Sequence, residues 1–218
     1  MMKATNKKNN TTAFVVTTIL CLLPIVLGVY FYQELPGKIP MKWYADGTTG
    51  QYMPKEMTVF GMPAAMAALN ALVHFGLNTD PKTGNIAKKS KAIGKWICPL
   101  MSLILVSSSI FWALGSKVPV DTIVFLLIGI VFIAAGNYMP KTRRNYTSGI
   151  KIPWTLNSDE NWRRTHHLAA FLWILGGVFM IVTGFIHTEA LVYVALVFLL
   201  FMAAIPVLYS YLLFRKGI

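Results

Sequence analysis

Six stretches of eighteen or more residues run through this chain without a single lysine, arginine, aspartate or glutamate: 12–32, 57–77, 96–115, 122–139, 168–186 and 190–214. A spanning helix needs about 20 apolar residues to cross about 30 Å of hydrocarbon. Within lipid every backbone N–H and C=O must find a partner inside the protein, which leaves helices or closed barrels. Barrel strands alternate apolar and polar residues over about ten positions, and these stretches do not. Together they occupy more than half of the 218 residues, so no separate soluble domain fits. The pattern predicts an all-α integral membrane protein: a six-helix transmembrane bundle with a short structured outer loop and a structured cytoplasmic loop.

Composition agrees. The chain is 56% hydrophobic and 13% charged, whereas an ordinary soluble domain is about 45–50% apolar and about 25% charged. Disordered chains are poor in aliphatic and aromatic residues, so disorder is excluded too. Two cysteines are too few for a disulfide-built scaffold. The first apolar run follows Lys3, Lys7 and Lys8 but is too long for a signal peptide, and no small-residue cleavage site precedes Gln33. It reads as a retained first helix.

Charge orients the spans. Lysine and arginine number three before the first span, five in 78–95, six in 140–167 and two after the last, sixteen on one side. The opposite side holds four. Positive residues concentrate in cytoplasmic segments, so both termini are expected in the cytoplasm of a multi-pass cell-membrane protein. The net charge of +12 is therefore a topology signal, and direct nucleic-acid binding is not expected. Three regions follow: 1–56, the first helix with the outer loop; 57–135, helices two to four; and 136–218, the large inner loop with helices five and six.

Function is more readily written in the loops. Segment 78–95, with Lys88, Lys89, Lys91 and Lys95, suits contact with anionic membrane lipids. The outer loop, 33–56, alternates Ile39, Met41 and Trp43 with Pro40, Lys42 and Tyr44, as a short strand would. Asp46-Gly47 signals a turn, and a second extended piece through Tyr52 closes a hairpin. Pro40 confines that strand to an edge. Its aromatic residues serve either as interface anchors or as a landing surface for a membrane-active ligand.

The inner loop between helices four and five is denser. Pro140 ends a helix, and Gly149 and Pro153 mark turns. Asn157 with Glu160 resembles a capping box, so a helix should start near Ser158 and lead into helix five. Glu160–Arg164 and Asp159–Arg163 are spaced to pair, and Trp162 and His166 share a face one turn apart.

At these loops the chain resembles the SdpI family of bacterial membrane immunity proteins. The resemblance rests on Gly136, Asn137, Met139, Pro140 and Lys141, then Asn145, Gly149 and Ile150. It continues through Pro153, Trp154, Thr155 and Leu156 to Trp162, Thr165 and His166, with Arg163 beside them. The outer loop is similar to the family's N-terminal module at Leu35-Pro36, Ile39-Pro40, Trp43 and Gly47. Lys151-Ile152 stands where the family has Arg-Thr, and His167 where it has Arg.

The resemblance implies protection of the producing cell against a secreted, membrane-disrupting SDP-type peptide toxin. It also implies capture of a cytoplasmic ArsR-like winged-helix autorepressor when toxin is present. On that reading Pro36, Pro40, Trp43, Tyr44, Gly47 and Tyr52 face the toxin, while residues from Asn137 to His166 form the partner surface.

Inside the spans, Asn70 and His74 lie four residues apart on helix two, a spacing that suits interhelical hydrogen bonds. Pro24 and Pro206 should kink helices one and six. Cys21 and Cys98 read as packing residues. His166 and His167 point about 100° apart on a helix, so no metal site and no cofactor is expected. An enzyme would need a carboxylate pair, a Ser/His pair or a metal set at one depth, and none is visible. The alternative is a multi-pass transporter or exporter of a small amphipathic substrate, for which His74 is the sole ionisable residue in the spans.

Overall fold

The computed structural model describes backbone for residues 2–43, 49–116, 118–186 and 189–218. Side chains are described outside 1–9, 42–49, 117, 121 and 187–192. Six helical segments are long and apolar enough to cross a membrane: Asn10–Tyr30, Met57–Thr79, Lys88–Ala113, Thr122–Lys141, Asp159–Thr183 and Tyr193–Arg215. The expected all-α membrane class holds.

In chain order the elements are α1 (Met2–Leu22), α2 (Pro24–Tyr30), β1 (Lys38–Trp43), β2 (Thr49–Pro54), a π-helical turn (Met57–Gly61), α3 (Met62–Thr79), α4 (Lys88–Ala113), α5 (Val120–Tyr138), α6 (Pro153–Asn157), α7 (Asp159–Thr183) and α8 (Glu189–Arg215). The first span is broken at Leu23, where Pro24 opens α2 at its first position. Proline has no N–H to give the preceding turn, which favours a break there. Pro206 lies within a continuous α8.

Helices α4 and α7 start about two turns before the apolar stretches predict. Hydropathy reads only the apolar part, whereas Lys88–Lys95 and Asp159–His167 are helical and polar. The chain divides into two compact units, one of residues 1–75 with 94–123, the other of 76–93 with 124–218.

In the first unit β1 and β2 pair antiparallel, with Ile39 opposite Met53, Pro40 opposite Tyr52 and Trp43 opposite Thr49. The expected hairpin is present; its turn, including Tyr44 and Gly47, lies outside the described residues, as does the Trp43 side chain. Strand alternation sends Ile39 inward, where it is fully buried with Leu35, Val59, Val106 and Ile110. Val59 also fits against Gly28, where a Cβ would lie 2.6 Å from a valine methyl.

In the second unit α5 meets α7 at small residues. A Cβ on Gly129 or on Gly177 would run into the other's carbonyl oxygen, and one on Gly136 would lie 2.9 Å from the Ala170 carbonyl. Lipid tails supply no hydrophobic drive between helices, so close backbone approach is what rewards their association. Met139, Ala169 and Ala170 form the buried cluster beneath the loop that follows, with Ile150 and Trp173 against it.

Candidate functional site

The connection between α5 and α7 is a folded structure braced from several directions. Met139–Lys141 makes one tight 3₁₀ turn, with Pro140 inside it. Asn145 is fully buried and organises the next residues by itself. Its Oδ1 accepts the N–H groups of Thr147 at 3.0 Å and Ser148 at 2.7 Å, and its amide donates to the Arg143 carbonyl at 2.8 Å. Asn–backbone bonds of this kind shape turns without help from regular structure.

The short connection between α3 and α4 clamps this turn. Asp80 Oδ1 accepts the Lys82 N–H at 2.7 Å, and Oδ2 accepts the Tyr146 N–H at 3.0 Å. Asn85 donates its amide to the Arg144 carbonyl at 2.7 Å, while its own carbonyl accepts the Arg143 N–H at 2.8 Å. Burial pushes the Asp80 carboxyl up, but hydrogen bonds from Thr147 and from the N–H groups of Lys82 and Tyr146 outweigh it and hold the group below its ordinary value.

Gly149 then turns the chain at φ +104°. A side chain there would be strained by that angle, and its Cβ would strike His166 Nε2. The contact explains the glycine. Immediately after it the Ile150 N–H donates to His166 Nε2 at 3.0 Å. Nε2 therefore carries no proton, and the ring is a neutral imidazole whose Nδ1–H donates to the Trp162 carbonyl at 2.8 Å.

The Trp162 ring stacks on that imidazole, and its Nε1–H donates to the Thr142 carbonyl at 2.9 Å. Trp162 is 3% exposed and His166 1%. Thr155, also buried, donates to the Ile150 carbonyl at 2.7 Å and accepts the Ile152 N–H at 3.2 Å, which sets the entry to α6 behind Pro153. Trp154 is half-buried, its ring 5.1 Å from that of Tyr211 on α8.

Asn161 belongs to this set although sequence reasoning missed it. It is fully buried, donates to the carbonyls of Ser210 and Ile218, and accepts from the Thr165 and Ser210 hydroxyls at 3.1 and 2.6 Å. It ties α7 to α8. A polar residue one turn into a juxtamembrane helix was the available signal.

Two local pairings differ from expectation. The α7 N-cap is Ser158, whose hydroxyl accepts the Asn161 N–H at 3.2 Å, so Asn157 and Glu160 form no capping box. Glu160 instead pairs with Arg164 at 2.6 Å, as its spacing predicts, and also with Arg163 at 2.8 Å. Asp159 pairs with Arg144 at 2.9 Å in place of Arg163. Loop folding delivers a guanidinium that the helical spacing rule does not count.

The loop's predicted residues thus separate by environment. Asn145, Thr155, Trp162, Thr165 and His166 are buried; Asn137, Lys141, Gly149, Pro153 and Arg163 are exposed, and Pro140 is half-buried. In the hairpin Pro40 is buried, Pro36 exposed, and Tyr52 56% exposed. In the spans Asn70 donates to the hydroxyls of Thr17 and Thr18 at 3.0 and 3.1 Å, and His74 Nε2 lies 3.1 Å from the Thr17 oxygen. These bonds join α3 to α1. Lys95 is buried and donates to Asn10 at 2.9 Å, so of the basic run only Lys88 and Lys89 stay exposed.

Comparison with known proteins adds three findings. Residues 141–210 match the family model described as the SdpI/YfhL protein family, and residues 19–67 match a domain of unknown function, DUF1648. The Immunity protein SdpI of Bacillus subtilis (strain 168) is 26% identical over 202 residues, covering 93% of this chain and 96% of that protein. No solved structure matches.

Proposed function

We propose that this chain is a member of the SdpI family and a multi-pass membrane immunity protein that protects its cell from a secreted, membrane-disrupting peptide toxin of the SDP type. The observation that carries the reading is the likeness to an immunity protein over 93% of the chain, from the hairpin through the folded loop to the last helix.

In this reading both termini and the α5–α7 loop are cytoplasmic and the hairpin lies outside, which the excess of lysine and arginine on one side of the spans supports. The toxin then meets the hairpin face, where Tyr52 is exposed and whose sequence also carries Trp43 and Tyr44. Aromatic residues at the headgroup level have the right chemistry for an amphipathic peptide, apolar on the ring face and polar at the rim. In the same reading the cytoplasmic loop receives a winged-helix repressor through its exposed residues, Lys141 and Tyr146 among them, while Trp162, His166, Thr155 and Asn145 hold its shape.

The test is survival. An immunity-null, toxin-sensitive bacterium expressing the chain is challenged with purified SDP-type toxin, with an empty vector as control. Protection is expected. Full killing despite confirmed membrane insertion overturns the immunity assignment for that toxin class. Repressor capture is read separately, by membrane recruitment of the labelled repressor; if Lys141→Ala with Tyr146→Ala leaves recruitment unchanged, that loop is not the docking surface.

A further inference from the structure

The α5–α7 loop, the α3–α4 connection and the start of α7 line an open cleft of about 560 Å³ that the immunity reading does not use. Four of its lining residues are cations, Lys82, Arg143, Arg144 and Arg163, against one carboxylate, Asp159. Its floor is the Trp162–His166 stack, which is uncharged and closed to solvent. The volume is within the range of small-ligand sites.

Two of the cations, Arg144 and Arg163, are held in place by bonds that leave donors unspent. Arg144 gives Nε to Asp159 and Nη1 to the Leu156 carbonyl. Arg163 gives Nε and Nη2 to Glu160. Lys82 sits over the Tyr146 ring, 5.1 Å from its centroid. Among the described residues, Arg144 Nη2, Arg163 Nη1 and the whole Arg143 guanidinium make no hydrogen bond. Fixed guanidinium forks with free N–H groups match the oxygens of a phosphate, and an ion already ordered by one partner loses less entropy on gaining a second.

The cleft is also built on the polar ends of membrane helices. The flanking segments that are long and apolar enough to cross a membrane end at Lys141 and begin at Asp159, which puts anionic headgroups among the available phosphates.

We propose that this cleft binds a single phosphate group, presented either by the headgroup of an anionic phospholipid or as free phosphate. Lys82, Arg143, Arg144 and Arg163 provide the donors, and Asp159 orients Arg144 at the rim. The site stands independently of the immunity reading, because it needs neither toxin nor repressor.

The experiment uses the full chain in maltoside micelles. Three probes are titrated by calorimetry: dioctanoyl phosphatidylglycerol, dioctanoyl phosphatidylcholine and inorganic phosphate. Phosphatidylglycerol is expected to bind at least tenfold tighter than phosphatidylcholine. Arg143→Gln and Lys82→Gln should each weaken it about fivefold, while Lys216→Gln, an exposed lysine that does not line the cleft, leaves it unchanged. Inorganic phosphate binding as tightly as the lipid, and weakened by the same two variants, makes free phosphate the ligand; much weaker phosphate binding makes it the lipid. Equal affinity for the two lipids with no phosphate binding overturns the site, as does Lys216→Gln weakening binding as much as Arg143→Gln. Two cleft variants are used so that one that fails to fold leaves the other to decide.

Discussion

The indole of Trp162 lies almost flat on the imidazole of His166, ring centroids 3.9 Å apart and planes 19° from parallel. One turn of α7 thereby presents two outward hydrogen-bonding edges, one fastened to Thr142 and the other to Ile150, eight residues further along the loop. The pair pins both sides of the turn that Asn145 shapes.

Removing the polar edges while keeping the rings separates pinning from packing. Trp162→Phe leaves the buried Thr142 carbonyl unpaired, and His166→Phe does the same to the Ile150 N–H. Each should destabilise the protein by about 1–3 kcal/mol, whereas Trp162→Ala should cost about 3–5 kcal/mol by adding a cavity. Thermal unfolding in detergent checks the order. No loss for Trp162→Phe and His166→Phe would mean that the ring bonds carry nothing.

Gly149→Ala should be more damaging than Gly115→Ala. Both glycines have positive φ, +104° and +88°, so both variants bear backbone strain of about 1–3 kcal/mol. Only at 149 does the new methyl also strike His166, the Gly115 position being open. Limited proteolysis of the α5–α7 loop, compared between the two variants, reads the difference.

Asp80 predicts an acid-sensitive loop. Its folded pKa is depressed, so its stabilising contribution is fully present above the unfolded value of about 3.9. It is lost as pH falls through the lower folded value. Unfolding temperature should therefore drop below about pH 4 in the parent, and Asp80→Asn should flatten that drop while lowering stability at neutral pH. A parallel pH dependence in the two proteins would remove Asp80 from the account.

The hairpin allows a contrast between structure and contact. Ile39→Ala empties a fully buried position and should cost about 2–5 kcal/mol in stability. Tyr52→Ala, at a 56% exposed position, should cost much less stability than Ile39→Ala and reduce survival under toxin challenge. Survival equal to the parent for Tyr52→Ala would take that residue out of the toxin face.

Much of this was legible in the chain. Uninterrupted apolar length located all six spans, because lipid admits so few backbone solutions. The alternation at Ile39–Trp43 announced β1, and the one-turn spacing of Trp162 and His166 announced their shared face. What stayed hidden were partnerships between distant polar residues. Nothing local tells Asp80 to take the Tyr146 N–H, 66 residues on, or Asn161 to bond Ser210, 49 residues on. Asp159 shows the same limit from the other side: helical spacing offered Arg163, and the folded loop supplied Arg144. Environment was hidden as well, since signature residues that look alike in sequence divide into buried braces and exposed surface.

Helix α7 has no break between the loop residues at its start and the apolar residues that follow, from Asp159 to Thr183. The stretch that carries Asn161, Trp162 and His166 therefore moves as a lever arm of roughly 13 Å on the end of the spanning part. A tilt of about 10° within the lipid would carry the tip sideways by roughly 2 Å, comparable with the slack in a hydrogen bond. Motion in the bilayer would reach the loop as mechanical displacement, without a hinge to absorb it.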